Sequence, residues 1–562
     1  MRLRALLATV IFRACTAANS TWTTSGVVEA GHGVGWCLQP SDAGASDWRA
    51  RVVVRRVATN SSGPRYRLYS ARDHVYVLAF ALDASRDLAV DGAGRPLVAS
   101  RRKLRLDDFD DGALVLDAGG LGAGAALHVY VASNRLEGSS AYEVAVESDA
   151  ALERAADPVG GRRGAAAPAR QRGASRVLSL DGGGARGVVP LAVLADVERE
   201  TRARVRDKFD VFAGTSTGAI VAAGLALAEL PVAVVQRLYD DLVRLIFGSK
   251  GLSPKFRAGR LQAILEAVFG ADSTLRGDGG RRLVVVATDA STARLRPFLF
   301  RSFPPPEADD DDYLVDARSH HCRVVDALMA STAAPPFFPV RRFDVDGSPR
   351  RLLDGALVAN NPTHFALAEA SALRRGDART GAPEQTLDLV VSLGTGAAPA
   401  KARSSAADAR SFLGAIPRSV SAARDFVEGL ANLLTDTDTT HDLVKRTLRE
   451  TWRGDELHER YHRLDAVIDA RHLRLDEGDV DVLRDLRAMA LDFLKRDKHV
   501  EWKALLRALK QGPGKKKAPH VYSVVDLDVV AAPPAASALR PLRKTCARVT
   551  GLHGFFSRKH AR

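Results

Sequence analysis

The amino-acid sequence predicts an α/β fold with a mainly parallel sheet, preceded by a small antiparallel domain that resembles a β-sandwich. Beyond about residue 176, apolar strand-like runs alternate with amphipathic helical segments, which is typical of a parallel sheet with helices on its faces. Before residue 149, short runs rich in Val and Tyr are separated by Gly, Asp or Ser clusters, as in an antiparallel sandwich. A stretch rich in Ala, Arg and Gly lies between the two regions and shows no periodicity.

The length and composition are those of a multidomain globular protein. A chain of 562 residues exceeds what one hydrophobic core supports, so two or three domains are expected. Hydrophobic residues make up 46% and charged residues 26%, which argues against a fibrous, disordered or polytopic membrane protein. The predicted segments are 1–18, a signal peptide or disordered N terminus; 19–148, the β-rich domain; 149–175, a linker; 176–505, the α/β domain; and 506–562, a basic C-terminal tail.

The N terminus has the charged-then-apolar order of a short signal peptide. Arg4 precedes the apolar run Ala5–Phe12, but Arg13 ends that run at the lower length limit for a signal. We therefore expect a cytoplasmic or peripheral membrane location, with secretion as the alternative if residues 1–18 act as a signal. The cysteines are too scattered for a disulfide scaffold or a metal knuckle and are expected as thiols. They are Cys15, Cys37, Cys322 and Cys546.

The charge balance is basic. Lys and Arg number 81 against 67 Asp and Glu, giving a formal net charge of +14. Such an excess favours an anionic partner, and both a membrane surface and nucleic acid are compatible with it, while solvated charged faces are the alternative. In the C-terminal tail, Lys515–Lys517 and the apolar Phe555 and Phe556 would suit an anionic bilayer, or the tail is disordered.

Six strands are predicted in the β-rich region. They are Arg51–Arg55, Arg65–Tyr69, His74–Leu78, Ala113–Leu116, Leu127–Val131 and Tyr142–Val146. An acidic group within Asp107–Asp111 lies in one of the connections. Carboxylates in such a loop could bind calcium, but a solvated turn explains them equally well.

In the α/β region the predicted elements alternate as a parallel sheet requires. The strands are Val177–Leu180, Phe209–Phe212, Leu283–Val286 and Leu387–Ser392, and the first two helices are Leu191–Val205 and Ala219–Ala228. Turns that follow successive strands of such a sheet meet at its carboxyl edge, where ligands bind in open α/β folds. The motifs in these turns are therefore the first candidates for a functional site.

The first motif is a glycine-rich turn, Asp181–Gly187, which we call the glycine loop. Glycines after a strand and before a helix let several backbone N–H groups point at one anion. The Gly-x-Gly-x-x-Gly spacing would also fit a dinucleotide fingerprint. No convincing acidic ribose partner follows at the required distance, because Glu198 lies in the middle of a predicted helix.

The second motif is Gly214-Thr215-Ser216-Thr217-Gly218, which we call the serine elbow. Small residues on both sides of a serine permit the strained strand-to-helix turn that exposes a nucleophilic hydroxyl. The positive end of the following helix favours developing negative charge. An elbow next to an anion-binding turn at the preceding strand end indicates acyl transfer more strongly than either motif alone.

A serine nucleophile needs a base, and Asp354 is the candidate. It ends the apolar run Leu352–Leu353 and is followed by Gly355 and Ala356, which leave room for a close neighbour. Taken alone, Asp-Gly would indicate an ordinary turn. The alternative is a Ser-Asp-His triad, for which His320, His321 and His364 are candidates.

Together the three motifs resemble those of the patatin-like phospholipase family. That family combines an Asp-Gly-Gly-Gly-x-Arg/Lys-Gly loop, a Gly-x-Ser-x-Gly elbow and a late Asp-Gly-Gly/Ala in the same order. Three further stretches are similar, Met329–Pro339, Asn360–Pro362 and Val391–Gly396. The resemblance covers roughly residues 176–400, extends more weakly to about 500, and implies the family's three-layer α/β fold.

The resemblance also implies a set of residue roles. Ser216 would be the nucleophile and Asp354 its base, with no histidine required. The oxyanion hole would come from Gly182, Gly183, Gly184, Arg186 and Gly187, with the N–H groups of Gly183 and Gly184 holding the oxyanion and Arg186 supporting the loop or meeting a lipid phosphate. Gly214 and Gly218 would shape the elbow.

The implied activity is hydrolysis of acyl esters in glycerolipids through an acyl-enzyme. It would need no metal, calcium or other cofactor, and the partners would be an acyl lipid and an anionic membrane or lipid-aggregate surface, with no nucleic acid. Two alternatives remain open at this point. One is a lipid-binding protein with vestigial catalytic groups, and the other is an α/β-hydrolase with a Ser-Asp-His triad.

Overall fold

The computed structural model describes two compact units. One comprises the described residues up to 165 together with 262–271, and the other comprises 166–261 and those from 272 onward. The description covers residues 20–511 except 30–31, 43–44, 46–47, 58–74, 84–87, 90–96, 105–113, 122, 124, 134–138, 155–173, 249–253, 277–280, 293–294, 304–320, 336, 346–347, 380–385, 398–437, 470–471 and 473. The predicted strand Arg65–Tyr69, the acidic group in Asp107–Asp111, segment 1–18 and most of the basic tail lie outside it.

The first unit contains two antiparallel sheets. Strands β1 (Ser20–Glu29), β2 (Gly33–Pro40), β3 (Trp48–Val57), β4 (Val75–Leu82), β5 (Val98–Leu104), β6 (Leu114–Leu121), β7 (Ala126–Ser133), β8 (Ser139–Ser148) and β9 (Leu152–Arg154) pair in the orders β1-β8-β3-β6 and β5-β4-β7-β2-β9. The two sheets share one apolar cluster, to which β3 contributes Val52 and Val54 and β7 contributes Val129 and Val131. Every second residue of these strands points into that cluster, as the two-residue period of a strand requires.

Five of the predicted strands coincide with β3, β4, β6, β7 and β8, whereas β1, β2, β5 and β9 were not predicted. β2 contains two glycines and ends in a proline, and β5 contains three basic residues, so neither shows the Val-rich pattern of its neighbours. β9 and the start of β10 (Ala174–Leu180) fall inside the segment predicted as a linker.

The second unit is built on one mixed sheet. Its further strands are β11 (Val211–Thr215), β12 (Arg282–Asp289), β13 (Arg296–Arg301), β14 (Arg341–Val345), β15 (Ser348–Asp354), β16 (Thr386–Leu393) and β17 (Tyr461–Leu464). The order is β14-β15-β12-β11-β10-β16-β17, with β13 also on β12. The run from β12 to β17 is parallel, while β13, β14 and β15 pair in antiparallel fashion.

Helices cover this sheet. The helices of this unit are α1 (Val188–Thr201), α2 (Thr217–Ala226), α3 (Val232–Phe247), α5 (Val324–Ser331), α6 (Ala356–Ala359), α7 (Thr363–Arg379), α8 (Asp438–Arg449), α9 (Glu456–Arg460), α10 (Val480–Arg496) and α11 (His499–Lys510), while α4 (Pro254–Phe269) begins here and ends in residues 262–271 of the first unit. All five residues of β11 are buried, and since successive side chains point to opposite faces, both faces of the sheet are covered. No helix in the described part of the chain is long and apolar enough to cross a bilayer.

Several element boundaries differ from the sequence prediction. The first helix ends at Thr201 and not at Val205, because Arg202 adopts a left-handed conformation with φ 49°. The strand predicted at Phe209–Phe212 runs instead from Val211 to Thr215, so it reaches the residue before Ser216. α11 extends past residue 505, where the α/β domain was predicted to end.

One detail of the sheet positions the candidate site. β11 pairs with β12 as far as Thr215 opposite Val286, and Asp354, the last residue of β15, lies opposite Ala287. β13 occupies the other edge of β12 at the same residues, so β11 and β15 meet end to end along one edge. The ends of these two strands are therefore brought together by adjacent residues of β12.

Candidate active site

The serine elbow places Ser216 at the junction of β11 and α2. Its backbone has φ 52° and ψ −119°, a conformation that costs a non-glycine residue about 1–3 kcal/mol. The turn is tight, since a Cβ on Gly218 would lie 2.1 Å from the carbonyl oxygen of Leu180, and one on Gly214 would lie 2.4 Å from that of Gly218. The elbow is therefore possible only with glycine at both positions.

Hydrogen bonds hold this turn from outside the elbow. The Ser216 N–H donates to Ser331 Oγ at 2.8 Å, and the Ser331 hydroxyl donates to the carbonyl of Val286 at 2.6 Å. The Ser216 carbonyl accepts from the N–H of Ala219 at 3.0 Å, at the start of α2. Ser331 thus ties the serine backbone to β12, the strand that also sets the position of Asp354.

Asp354 lies directly beside the serine. The Ser216 hydroxyl donates to Asp354 Oδ2 at 2.7 Å, and Asp354 Oδ1 accepts from the N–H of Ala356 at 2.9 Å. Ser216 is 9% exposed and Asp354 3% exposed, so this contact is shielded from bulk water. Both carboxylate oxygens are engaged, which fixes the direction in which the carboxylate faces the hydroxyl.

Burial changes the acidity of Asp354. It raises the pKa of this carboxyl to about 6, while the Ala356 N–H and the Ser216 hydroxyl act in the opposite direction by stabilising the anion. The carboxyl is therefore mostly ionised at neutral pH, but it is a stronger base than a solvated aspartate. That combination is suited to accepting a proton near pH 7.

The glycine loop faces the serine with two free N–H groups. The Gly182 N–H donates to the Asn360 carbonyl at 3.1 Å, and the Ala185 N–H donates to the Leu475 carbonyl at 2.8 Å. Between them, the N–H groups of Gly183 and Gly184 donate to no acceptor in the described part of the chain, although both residues line the pocket beside Ser216. Such a pair of donors can bind an oxyanion.

The conformation of the loop is fixed by contacts with distant residues. Gly184 has φ 54°, and its carbonyl accepts from the Thr217 hydroxyl at 2.9 Å. The Gly182 carbonyl accepts from the Thr395 hydroxyl at 2.8 Å. These bonds consume the carbonyl groups and leave the unused donors facing the pocket.

Arg186 and Gly187 lie apart from the pocket lining. Arg186 is 1% exposed, and its Nη1 donates to the Gly396 carbonyl at 2.9 Å. A side chain buried in this way can support the loop, but it leaves no room for a contact with a lipid phosphate. Gly187 packs against Thr217 and Tyr239, where a Cβ would come within 2.1 Å and 2.7 Å of their side chains.

The pocket beside Ser216 is mainly apolar. Its lining residues are Gly182, Gly183, Gly184, Ser216, Phe247, Thr332, Ala334, Phe337, Phe338, Asp354, Ala356, Asn360 and Leu475. Phe247 makes edge contacts with Phe337 and Phe338, each at a centroid distance of 6.4 Å. The guanidinium of Arg257 lies 5.8 Å from the Phe247 ring and 6.0 Å from the Phe337 ring. An apolar pocket with one cation at its aromatic wall suits an amphipathic substrate.

No histidine in the described part of the chain bonds to Ser216 or Asp354. His364 is buried elsewhere, and burial lowers its pKa to about 4, so it is neutral near pH 7. His321 is exposed and does not line the pocket, and His320 lies outside the described residues. As far as the described residues show, the hydroxyl and the carboxylate therefore face each other without an imidazole.

Sequence reasoning did not assign roles to several residues of the site. Ser331 and Asn360 lie in stretches that resemble the family, but nothing in their spacing indicated that one binds the elbow and the other the glycine loop. Thr395 likewise lies in a similar stretch, whereas Leu475 belongs to no motif. Their partners are far away in the sequence, so only the fold reveals these contacts.

Comparison with known proteins connects this geometry to a family. The model of the patatin-like phospholipase family matches residues 178–367. A cGAMP-activated phospholipase of Pseudomonas aeruginosa is 32% identical over 246 residues, which are 42% of this chain and 67% of that protein. The 85/88 kDa calcium-independent phospholipase A2 of Mus musculus is 30% identical over 247 residues, 41% of this chain and 28% of that protein.

A plant relative is similar over the same part of the chain. Phospholipase A I of Arabidopsis thaliana is 28% identical over 287 residues, 41% of this chain and 21% of its own length. The chain thus spans two thirds of the bacterial relative and less than a third of the mouse and plant proteins. The resemblance noted from the motifs is confirmed by these matches.

Proposed function

Since this chain belongs to the patatin-like phospholipase family, we propose that it hydrolyses acyl esters of glycerolipids with a Ser216–Asp354 dyad. The observation that carries the proposal is the 2.7 Å hydrogen bond from Ser216 Oγ to Asp354 Oδ2. It lies in an apolar pocket that also holds the unused N–H groups of Gly183 and Gly184. Nucleophile, base and oxyanion donors therefore share one small space.

Acylation begins with proton transfer from Ser216 to Asp354. The serine oxygen bonds to the ester carbonyl carbon, and the carbonyl electron pair moves to its oxygen, which Gly183 and Gly184 stabilise through their N–H groups. When the tetrahedral intermediate collapses, the carbon–oxygen bond to the glycerol breaks. The proton held by Asp354 passes to the leaving alkoxide, and an acyl-serine remains.

Deacylation repeats these steps with water. Asp354 accepts a proton from water, whose oxygen bonds to the acyl carbon, and the same two N–H groups hold the oxyanion. Collapse releases the fatty acid and returns the proton to Ser216. Each proton taken is given back, and we propose that the cycle uses no metal, calcium or other cofactor.

The substrate side of the proposal rests on the pocket wall. Phe247, Phe337 and Phe338 offer an apolar surface for an acyl chain. Arg257 forms no ion pair within the described residues, and its Nε is buried without a hydrogen-bond acceptor. A phosphodiester would supply the missing anion. We therefore infer a glycerophospholipid substrate in preference to a galactolipid or triacylglycerol.

Two further features support the coarser parts of the proposal, the membrane partner and the N-terminal domain. The net charge of +14 supports docking on an anionic membrane or lipid aggregate. The two antiparallel sheets around one apolar cluster support a sandwich-like N-terminal domain. No nucleic-acid partner is required by this function.

The test is fatty-acid release from phospholipid vesicles by the purified chain in excess chelator. Wild type is compared with Ser216→Ala and Asp354→Ala. The control is Ser302→Ala, because Ser302 is another buried serine, which accepts from a backbone N–H of β12 at the end remote from the site. Ser216→Ala and Asp354→Ala should each lower kcat by at least about 10³-fold, because each removes a member of one catalytic unit. Ser302→Ala should retain kcat.

Other outcomes would point to the alternatives. A wild type that binds anionic vesicles but releases no fatty acid from phospholipid, galactolipid or triacylglycerol would identify a lipid-binding protein with vestigial groups. Loss of activity on replacement of His364 in a folded variant would indicate a Ser-Asp-His triad. Activity that requires added calcium would contradict the cofactor-free mechanism.

A further inference from the structure

A buried ionic cluster lies behind the glycine loop. Its members are Asp181, Arg186, Arg463 and Asp465, and we call it the Arg463 cluster. Arg463 Nη2 donates to Asp181 Oδ2 at 2.7 Å and to Asp465 Oδ2 at 2.8 Å. The side chains of Arg463 and Asp181 are 8% and 1% exposed. Two of the four residues belong to the glycine loop, and the other two lie in or directly after β17.

The charges of this cluster compensate one another in part. Burial raises the pKa of Asp181 to about 7, and the guanidinium of Arg463 opposes that rise. Burial alone would lower the pKa of Arg463, but the attraction of Asp181 and Asp465 raises it above the usual range. Removing one member would leave an uncompensated charge in the interior, so the cluster holds its parts in fixed positions.

The cluster reaches the glycine loop along two routes. The first is covalent, since Asp181 is the residue before Gly182. The second runs through Gly396, whose N–H donates to Asp465 Oδ1 at 2.9 Å and whose carbonyl accepts from Arg186 Nη1 at 2.9 Å. The neighbouring Thr395 hydroxyl donates to the Gly182 carbonyl at 2.8 Å.

These contacts bear on the unused donors of the loop. Both routes end at Gly182, and Gly183 and Gly184 follow it directly in the chain. On the far side of these two glycines, the Ala185 N–H donates to the Leu475 carbonyl at 2.8 Å. Both anchors of the two donors therefore involve the segment 461–475, which lies beyond the residues 178–367 matched by the family model.

We propose that Arg463 is a positioning residue that, through Asp181 and Asp465, holds the N–H groups of Gly183 and Gly184 where the oxyanion forms. This inference rests on the proposed function and extends it, because it makes the segment 461–475 a working part of the active site. Arg463 itself touches no substrate. Its effect should appear when charge develops on the carbonyl oxygen and should be small when substrate merely binds.

The experiment uses the full chain with Arg463→Gln and Arg463→Lys. The matched control is Arg176→Gln, which removes the buried Arg176–Asp388 ion pair of 2.6 Å at the opposite end of β10. Turnover of phospholipid vesicles gives kcat and KM, and thermal unfolding reports the structural cost of each change. Two inhibitors are compared, a phospholipid trifluoromethyl ketone, which forms an oxyanion with Ser216, and a dialkyl ether phospholipid, which cannot.

We expect Arg463→Gln to lower kcat by about 10²-fold, as loss of one oxyanion donor does, with little change in KM. Affinity for the trifluoromethyl ketone should fall in parallel, while affinity for the ether lipid should stay within about threefold of wild type. Arg463→Lys keeps the charge but not the planar fork, so it should recover part of kcat. Arg176→Gln should lower the melting temperature comparably and keep kcat.

Three results would overturn the inference alone. They are a folded Arg463→Gln with wild-type kcat, equal loss of affinity for both inhibitors, and equal loss of kcat in Arg176→Gln. If Arg463→Gln does not fold, the same criteria apply to Arg463→Lys and Asp465→Asn. A wild type without esterase activity would overturn the proposed function as well, so the two failures are distinguishable.

Discussion

The serine elbow and the glycine loop do similar work at neighbouring strand ends, but they are built differently. In the elbow, the strained backbone of Ser216 and the close approach of Gly218 to Leu180 follow from contacts within adjacent turns. In the glycine loop, the Gly182 and Ala185 backbone groups bond to Asn360, Thr395 and Leu475, all at least 170 positions away by the sequence numbering, while the Gly184 carbonyl accepts from the nearer Thr217. The elbow is thus shaped mainly by close backbone approach, whereas the loop depends more on side chains and backbone groups that are distant in the sequence.

The strongest test of this contrast adds one methyl group to each turn. In Gly218→Ala the new Cβ would lie 2.1 Å from the Leu180 carbonyl, which is backbone and cannot move aside. In Gly183→Ala it would lie 2.2 Å from Thr395 Oγ1, which is a side chain. We expect both to lower kcat by about 10²-fold or more, on the scale of losing an oxyanion-hole donor.

Only the loop variant should be rescued from elsewhere in the chain. Gly183→Ala combined with Thr395→Gly removes the clashing side chain and should recover at least about tenfold of the lost kcat, or 1.4 kcal/mol. Thr395→Gly alone measures the cost of its lost hydrogen bond. Rescue of Gly218→Ala by any side-chain truncation nearby would break the contrast.

The pH dependence should follow Asp354, the base that faces the serine elbow. Asp354 acts as a base only when ionised, and its pKa is raised to about 6, so kcat/KM should rise about tenfold per pH unit up to pH 6 and level off above. Vesicle assays between pH 4.5 and 8 measure this, with circular dichroism at each pH to check folding. A flat acidic limb would contradict the assignment of Asp354 as base.

Ser331→Ala tests a long-range contact that holds the elbow. The change removes the acceptor of the buried Ser216 N–H and one donor to the Val286 carbonyl, which should cost about 1–3 kcal/mol of unfolding free energy. We expect kcat to fall roughly tenfold, as 1.4 kcal/mol of lost alignment would give. Ser302 is also buried, and it accepts from the N–H of Leu283, which lies on β12 like Val286. The Ser302→Ala variant should therefore lose stability without losing kcat.

The smallest effect is expected at the pocket wall. Arg257→Gln should lower kcat/KM for phospholipid about threefold to tenfold, the range of one partly exposed charge-assisted contact. Hydrolysis of a neutral diacylglycerol should not change, and Arg257→Lys should lie between the two. Equal losses on both lipids would show that Arg257 only supports the aromatic residues that it covers.

The same contrast explains what the sequence could predict. Ser216, Asp354 and the glycines lie in short motifs whose spacing reflects local backbone geometry, and the structure brings them together around one pocket. Ser331 lies 115 positions from the N–H that it binds, and Arg463 lies 282 positions from Asp181. No local pattern encodes such pairs, because they exist only after β12 and β17 have joined the sheet.

The fold shows a similar division. Val-rich strands such as β3, β12 and β16 were found because burial imposes their composition. The antiparallel strand β15 was not predicted, since four of its seven residues are Ser, Pro or Arg. Its pairing with β12 makes the sheet mixed and delivers Asp354 to the site.

Because β11 and β15 meet end to end on β12, that strand sets the relative position of the strand ends that carry Ser216 and Asp354. Thr215, the residue before Ser216, and Asp354 face consecutive residues of β12, Val286 and Ala287, so the two strand ends are set one step of strand rise apart, about 3.3 Å along β12. Side chains of the pocket do not enter this measure. The apolar pocket wall can therefore be remodelled, by evolution or by design, while the strand ends that carry Ser216 and Asp354 keep their positions on β12.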